Sequence, residues 1–343
     1  MQLSEFEFDL PDEQIAQAPL DERQASRMLI VDRSGKRFDD SSFTALPDNL
    51  KDGDVLVLNN TKVVPARLLG RTETGAAIEI FLVREMGQLA WEVLARPARR
   101  LRIGKRILFG DRLSATTIGR TPDGKVIVEF RPDGDLVEII DQIGITPLPP
   151  YIKRENSAID VDRDRYQTVF AASRGAIAAP TAGLHFTTEM IDTIRRRGVT
   201  VVEVTLHVGY GTFEPVRVND IAEHSVLPEQ YSIDGSAAEC LNLAKSKKRR
   251  IIAVGTTTTR ALESNISKFG NFTPGSFDAD LTITPGYKFR AIDALLTNFH
   301  LPRSSLLILT SVFGGHELIM DAYRYAVVAG FRFYSYGDCM FIV

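Results

Sequence analysis

AIEIFLV (77–83), AWEVLA (90–95), RILFG (106–110) and KVIVEF (125–130) follow one another within Ala66–Phe130, separated by Gly, Pro and Asp turns. Short apolar or alternating runs at such even spacing suggest a small β-barrel or sandwich. A helix is expected next, over Asp135–Ile143. The stiff segment TPLPPY (146–151) then reads as an exit from this domain. Upstream, MLIVD (28–32) and DVLVLN (54–59) read as short buried strands. Downstream, strands at Val199–Leu206, Arg250–Val254 and Ala291–Leu296 alternate with helices at Thr187–Arg197, Ser236–Lys245, Thr259–Ser267 and Glu317–Val328. Strand–helix alternation implies an α/β domain. The expected architecture is a larger mixed α/β domain, residues 1–62 and 150–343, with a smaller β-barrel-like domain, residues 63–149, inserted into it.

The chain has 343 residues, 44% hydrophobic and 25% charged, an ordinary globular mix that excludes collagen, coiled coil and wholesale disorder. No window approaches the roughly 18 uninterrupted apolar residues of a spanning helix. Met1–Leu10 carries Glu5, Glu7 and Asp9 and no basic residue, so it does not read as a signal or transit peptide. Cys240 and Cys339 cannot form a disulfide framework or a four-cysteine zinc site; both read as small buried hydrophobes. The lone Trp91, in an alternating run, reads as core. A cytoplasmic protein that needs no metal is expected.

The net charge of −3 argues against a generic nucleic-acid binder, but it is unevenly distributed. Residues 60–155 carry 16 basic and 12 acidic residues, and the rest 25 and 32. Arg96, Arg99, Arg100, Arg102, Lys105 and Arg106 fall within eleven residues that contain no acid. Such a strip suits phosphate binding, and equally a solvated loop face.

The common nucleotide signatures are missing: there is no G-x-x-x-x-G-K-[ST] and no strand leading into G-x-G-x-x-G. Instead, dense polar–Gly–Pro clusters follow the apolar runs. They are AAPTAGLHF (178–186) with His185, LHVGYGTF (206–213) with His207, GTTTTR (255–260), TNFHLP (297–302) with Asn298 and His300, and RFYSYGD (332–338). Each has a plain alternative: a hydrogen-bonded core histidine, an over-capped helix start, or aromatic packing. Several clusters at strand C-termini in one domain favour a polar, aromatic-lined pocket for a small, nucleoside-like ligand.

With PLPPYIKR (147–154), RYQTVFA (165–171), TLHVGYGTFEPV (205–216) and AVGTTTTR (253–260) beside them, these motifs make the chain resemble the S-adenosylmethionine:tRNA ribosyltransferase-isomerases of queuosine biosynthesis, collinearly from Leu10 to Val343. Looser similarity covers IAQAP (15–19) and LNNTKVVPAR (58–67). The resemblance implies a monomeric transferase with a barrel-like domain inserted into an α/β domain. It also implies transfer of the ribosyl part of S-adenosylmethionine, a co-substrate, to 7-aminomethyl-7-deazaguanine at the tRNA wobble position. Rearrangement to an epoxycyclopentanediol gives epoxyqueuosine and releases adenine and methionine.

That chemistry needs a base for a proton beside the sulfonium, a donor near the adenine nitrogens and a deprotonated amine nucleophile. His185, His207, His300, Tyr336 and Asp338 are the candidate catalytic residues, with His185 the first choice of base. Thr256, Thr257, Thr258, Arg260, Gly209 and Gly211 are candidates for co-substrate contacts, Arg260 suiting the methionine carboxylate. The Arg96–Arg106 strip becomes the candidate tRNA contact, acting on backbone charge around a splayed anticodon loop. The chain departs from the family pattern at HSVLPE (224–229), with Val226 and Leu227 where H-x-M-H-x-E is common, and at Asn60, where Asp is common. Two other functions remain open: a transferase acting on a free modified nucleoside, and a non-catalytic RNA-binding module.

Overall fold

Val55–Asn59 and Ile251–Val254 lie side by side and parallel, and every residue of both strands is buried. The structure, a computed structural model, describes residues 1–87, 89–153, 159–209 and 216–343. Contacts divide the chain into two compact units. One holds Met1–Lys62, Pro149–Lys153 and Arg165–Val343, and the other Val63–Leu148 with the segment ending at Asp164.

The larger unit is built on a nine-stranded mixed sheet. At its centre Thr200–Leu206, Val55–Asn59, Ile251–Val254 and Ala294–Asn298 run parallel. Helices cover both faces of this centre, so Val55–Asn59, Ile251–Val254 and Ala294–Asn298 are buried along their whole length, while Thr200–Leu206 keeps Thr200 and Glu203 exposed. Cys339–Ile342 pairs antiparallel with Ala294–Asn298 and parallel with Arg27–Asp32. The outer strands Glu229–Ile233, Gly275–Ala279 and Arg37–Ser42 are antiparallel additions.

Because the four central strands share one direction, their C-terminal ends collect on one edge. Leu206, Asn59, Val254 and Asn298 end there, and Cys339–Ile342, being antiparallel, brings the preceding Tyr334–Asp338 to the same edge. Helix Thr188–Arg196 is capped by Thr187, whose Oγ1 accepts from the Met190 N–H at 3.2 Å.

The smaller unit is a closed, six-stranded antiparallel barrel formed by Arg67–Thr72, Ala77–Gly87, Ala90–Arg96, Arg106–Phe109, Leu113–Arg120 and Val126–Pro132. Its interior is packed with Leu68, Ile78, Ile80, Leu82, Val93, Ile107, Val126, Val128 and Phe130, all buried. The mixed α/β fold with a β-barrel is as the sequence suggests. Trp91 departs from expectation: it is only half-buried, while Glu92 is buried and paired with Lys125 and Arg84. No single helix among the described residues is long and apolar enough to cross a membrane.

Candidate functional site

At the carboxyl edge of the central strands a recess opens, lined by residues from several strand ends. The helix Thr256–Phe269 begins at its wall. Gly255, the residue before that helix, has φ +93°, a conformation costly for any residue with a Cβ, and no side chain caps the helix. Thr258 and Thr259 return their hydroxyls to the carbonyls of Val254 and Gly255 at 2.6 and 3.1 Å. The leading amides of the helix are therefore uncapped at the recess, where backbone N–H groups and the helix dipole favour an anionic group. Thr256 and Thr257 line the wall beside them, and Thr257 Oγ1 accepts from Asn59 Nδ2 at 3.2 Å.

Opposite stand Thr297, Asn298 and His300, with Tyr334, Ser335, Tyr151 and Tyr166. Tyr334 is held at φ +72°, unusual for a bulky residue. Asn298 Nδ2 donates to the carbonyls of Tyr334 (2.9 Å) and Ser335 (3.3 Å), which fixes this turn. The Tyr334 ring meets that of Tyr151 edge-on at 4.0 Å, and the Tyr151 hydroxyl is hydrogen-bonded to Ser335. Burial raises Tyr334 to about 12 and Tyr151 well above its ordinary value. Both phenols stay protonated at working pH and offer ring faces and donors, not bases.

The five histidine, tyrosine and aspartate candidates fall in different places. His300 lines the recess; its Nε2 shares a hydrogen bond with Thr297 Oγ1 at 2.9 Å, and burial lowers it to about 3. His185 does not line it. With Nδ2 of Asn298 spent on two carbonyls, Oδ1 is the atom facing His185 Nε2 (3.1 Å), so that nitrogen carries the proton. Nδ1 is then the acceptor, and Ser26 Oγ lies 3.0 Å from it. Burial, and to a lesser extent Arg332 and Arg23, lower His185 to about 4 despite the Asn298 bond. Both ring nitrogens of His185 are thus engaged, one with Asn298 and one with Ser26. His207 is also outside, half-buried, with Nδ1 bonded to Thr61 Oγ1 at 2.8 Å. Its ring passes so close to Gly175 that a Cβ there would sit 2.8 Å from it.

Tyr336 is buried edge-on to Tyr166 at 5.8 Å. Asp338 accepts the backbone N–H groups of Arg27 (3.0 Å) and Arg332 (2.8 Å). It staples two segments together, and burial raises its carboxyl despite these bonds.

The co-substrate candidates divide likewise. Thr256 and Thr257 line the recess, whereas the Thr258 hydroxyl is spent on its own helix. The Gly209 N–H donates to Glu229 Oε1 at 2.8 Å, and Glu229 forms a buried ion pair with Arg260. Arg260 also donates to the carbonyls of Ala279 (2.8 Å) and Leu227 (3.4 Å) and lines a second recess. Gly211 lies outside the described residues. Asn60, the departure from the family pattern, donates to Glu203 at 3.0 Å, a contact in which an ionised Asp would repel.

In the barrel unit Arg96, Arg99, Arg100, Arg102, Lys105 and Arg106 are all exposed, and none forms an ion pair with a described residue. Among the described residues no group of three or more His, Cys, Asp or Glu could hold a metal ion.

Sequence reasoning missed Tyr151 and Tyr334 as wall residues and the latch role of Asn298. The first sits at the end of PLPPY, which reads as a linker, and the others lie beside more conspicuous histidines and aromatics.

Comparison with known proteins fits this layout. The model of a queuosine biosynthesis protein family matches residues 3–342. The chain belongs to that family. Curated members named S-adenosylmethionine:tRNA ribosyltransferase-isomerase include those of Syntrophotalea carbinolica, 47% identical, and Desulforamulus reducens, 46% identical, each over the whole of both chains. The crystal structure of the S-adenosylmethionine tRNA ribosyltransferase of Thermotoga maritima is 36% identical, covering 99% of this chain and all of that one with a TM-score of 0.56. Family membership thus spans both units, the carboxyl-edge recess and the basic barrel strip alike.

Proposed function

We propose that this chain transfers and isomerises the ribosyl group of S-adenosylmethionine onto 7-aminomethyl-7-deazaguanine at the tRNA wobble position, releasing adenine and methionine. Full-length membership in the family carries this reading. The recess adds to it, because its lining matches the needs of the co-substrate. Tyrosine rings suit a flat purine and a sulfonium cation.

In this reading His300 takes the proton next to the sulfonium. It is the histidine of the recess wall, it is neutral, and Thr297 holds it by Nε2, which leaves Nδ1 for a substrate. Burial disfavours the imidazolium, so the proton moves only where negative charge develops beside it, as at the carbon being deprotonated. His185 and Asn298 keep the Tyr334–Ser335 wall in place. The exposed arginines of the barrel supply positive charge for the tRNA phosphate backbone.

The test is incubation with S-adenosylmethionine and tRNA carrying the 7-aminomethyl-7-deazaguanine base, read by adenine release and tRNA mass gain. Both together are expected. Adenine without a tRNA adduct would point to another acceptor, and tRNA binding with neither product would favour a non-catalytic RNA-binding module. His300→Ala should lower turnover about 10²–10⁴-fold, the range of a lost acid–base group. Near-normal turnover would remove it from that role.

A further inference from the structure

A second recess shares Leu306 with the first. Its charged wall is the buried Arg260–Glu229 pair; His224, Thr282 and Ser305 add polar groups, and Val226, Leu281, Ile283 and Leu309 supply apolar surface. Arg260 Nε is buried and has no hydrogen-bond partner among the described residues. A buried donor left unpaired is uncommon in a folded protein and points to a group that completes it. We propose that this recess takes the α-amino-acid end of S-adenosylmethionine, and afterwards the released L-methionine, while the adenosyl end occupies the first recess. The assignment rests on the co-substrate reading given above.

Three observations lead to this ligand. First, a guanidinium and a carboxylate side by side are neutral as a pair, and an α-amino acid is a zwitterion of the matching pattern. Its carboxylate meets Arg260 and its ammonium meets Glu229, whose oxygens can each accept more than one bond, so no net charge is buried. Second, Thr256 of the first recess and Arg260 of the second lie four residues apart on one helix, a rise of about 6 Å. The chain from ribose C5′ through sulfur to the α-carbon covers a span of that size. Third, the apolar walls suit the methylenes between sulfur and α-carbon. Val226 and Leu227, where the chain departs from the family's H-x-M-H-x-E pattern, both line this recess.

The experiment is calorimetric titration of the full chain with S-adenosylmethionine, with 5′-methylthioadenosine, which lacks the amino-acid end, and with L-methionine as competitor. Leu281→Trp fills the half-buried mouth of the recess, and Arg260→Lys keeps the charge but removes Nε. Tyrosine near-UV circular dichroism confirms that each variant is folded. In both variants the Kd for S-adenosylmethionine should rise at least tenfold and competition by L-methionine should vanish. The Kd for 5′-methylthioadenosine should stay within twofold. Equal weakening of both adenosyl ligands, or methionine competing undiminished in Leu281→Trp, would overturn the assignment while sparing the co-substrate reading. Wild-type protein that binds neither adenosyl ligand would overturn both.

Discussion

Lowering the pH from 7 to 5 should destabilise the larger unit by about 4 kcal/mol through His185 and His300 and leave the barrel nearly untouched. Both histidines are buried and held neutral, at about 4 and about 3 against an ordinary 6.5. Their folded values lie below the unfolded one, so only the unfolded chain takes up protons as the pH falls through 6.5. Their contribution is intact above 6.5 and declines down to about pH 4, below which His185 begins to charge in the folded state too. Each pH unit inside that window removes about 1.4 kcal/mol per histidine, hence about 2 kcal/mol each by pH 5. The carboxylates held low by hydrogen bonds, such as Asp32 and Asp234, lose their contribution only at lower pH. Asp338, raised by burial, works in the opposite direction.

The sequence supplies separate reporters for this test. All nine tyrosines and all five histidines belong to the larger unit, and the single tryptophan, Trp91, to the barrel. Urea unfolding at pH 7, 6 and 5, followed by tyrosine near-UV circular dichroism and by tryptophan fluorescence, reads the two units separately. His207 and His224, also lowered by burial, add to the slope, so the decisive comparison is with His185→Gln. Glutamine can still donate to Asn298 but does not titrate. The variant should lose about 2 kcal/mol less than wild type between pH 7 and 5. An unchanged slope would mean that His185 charges in the folded state, and the tautomer reasoning at Asn298 would fall with it.

Asn298→Ala removes the latch on Tyr334 and leaves the His185 Nε2–H and the Ser335 carbonyl without a partner, while the Tyr334 carbonyl keeps the Gly337 N–H. Unfolding free energy should drop by about 2–4 kcal/mol and kcat/KM should fall, whereas full retention of both would deny the latch. Gly255→Ala has room for its Cβ, whose nearest neighbour is 3.6 Å away, but not the backbone conformation. A loss of about 1–2 kcal/mol with weakened S-adenosylmethionine binding is expected, and unaltered binding would show that the helix start does not touch the ligand. Reversing Arg99, Arg100 and Arg102 to Glu should raise the tRNA KM at least tenfold and flatten its salt dependence, leaving the S-adenosylmethionine Kd alone. A tRNA KM within twofold of wild type would clear the strip of that role.

The central strands were legible because burial on both faces writes itself as unbroken apolar runs, as in Val55–Asn59 and Ile251–Val254. The sheet margins were not. Glu229–Ile233 (EQYSI), Gly275–Ala279 (GSFDA) and Arg37–Ser42 (RFDDSS) carry the polar composition of loops, because one or both of their faces meet solvent. Helix Ser305–Gly314 (SLLILTSVFG) was hidden for the opposite reason: it is apolar nearly all round and shows no stripe of period 3.6.

The site shows the same limit at finer scale. In sequence GTTTTR is one cluster, and its threonines and arginine look like partners in one pocket. Once the segment is helical, successive residues turn by about 100°, so Thr258 points to the side opposite Thr256 and bonds back to Val254. Arg260 comes round again to nearly the direction of Thr256, one turn further along, and that rise carries it from the first recess to the second. The residue types therefore announce that ligand chemistry is present, and the helix decides which of them share a compartment. His185 follows the same logic. Its position after an apolar run marks it as a candidate, but the orientation of the Asn298 amide, which no sequence pattern encodes, decides that its ring points inward to hold a wall.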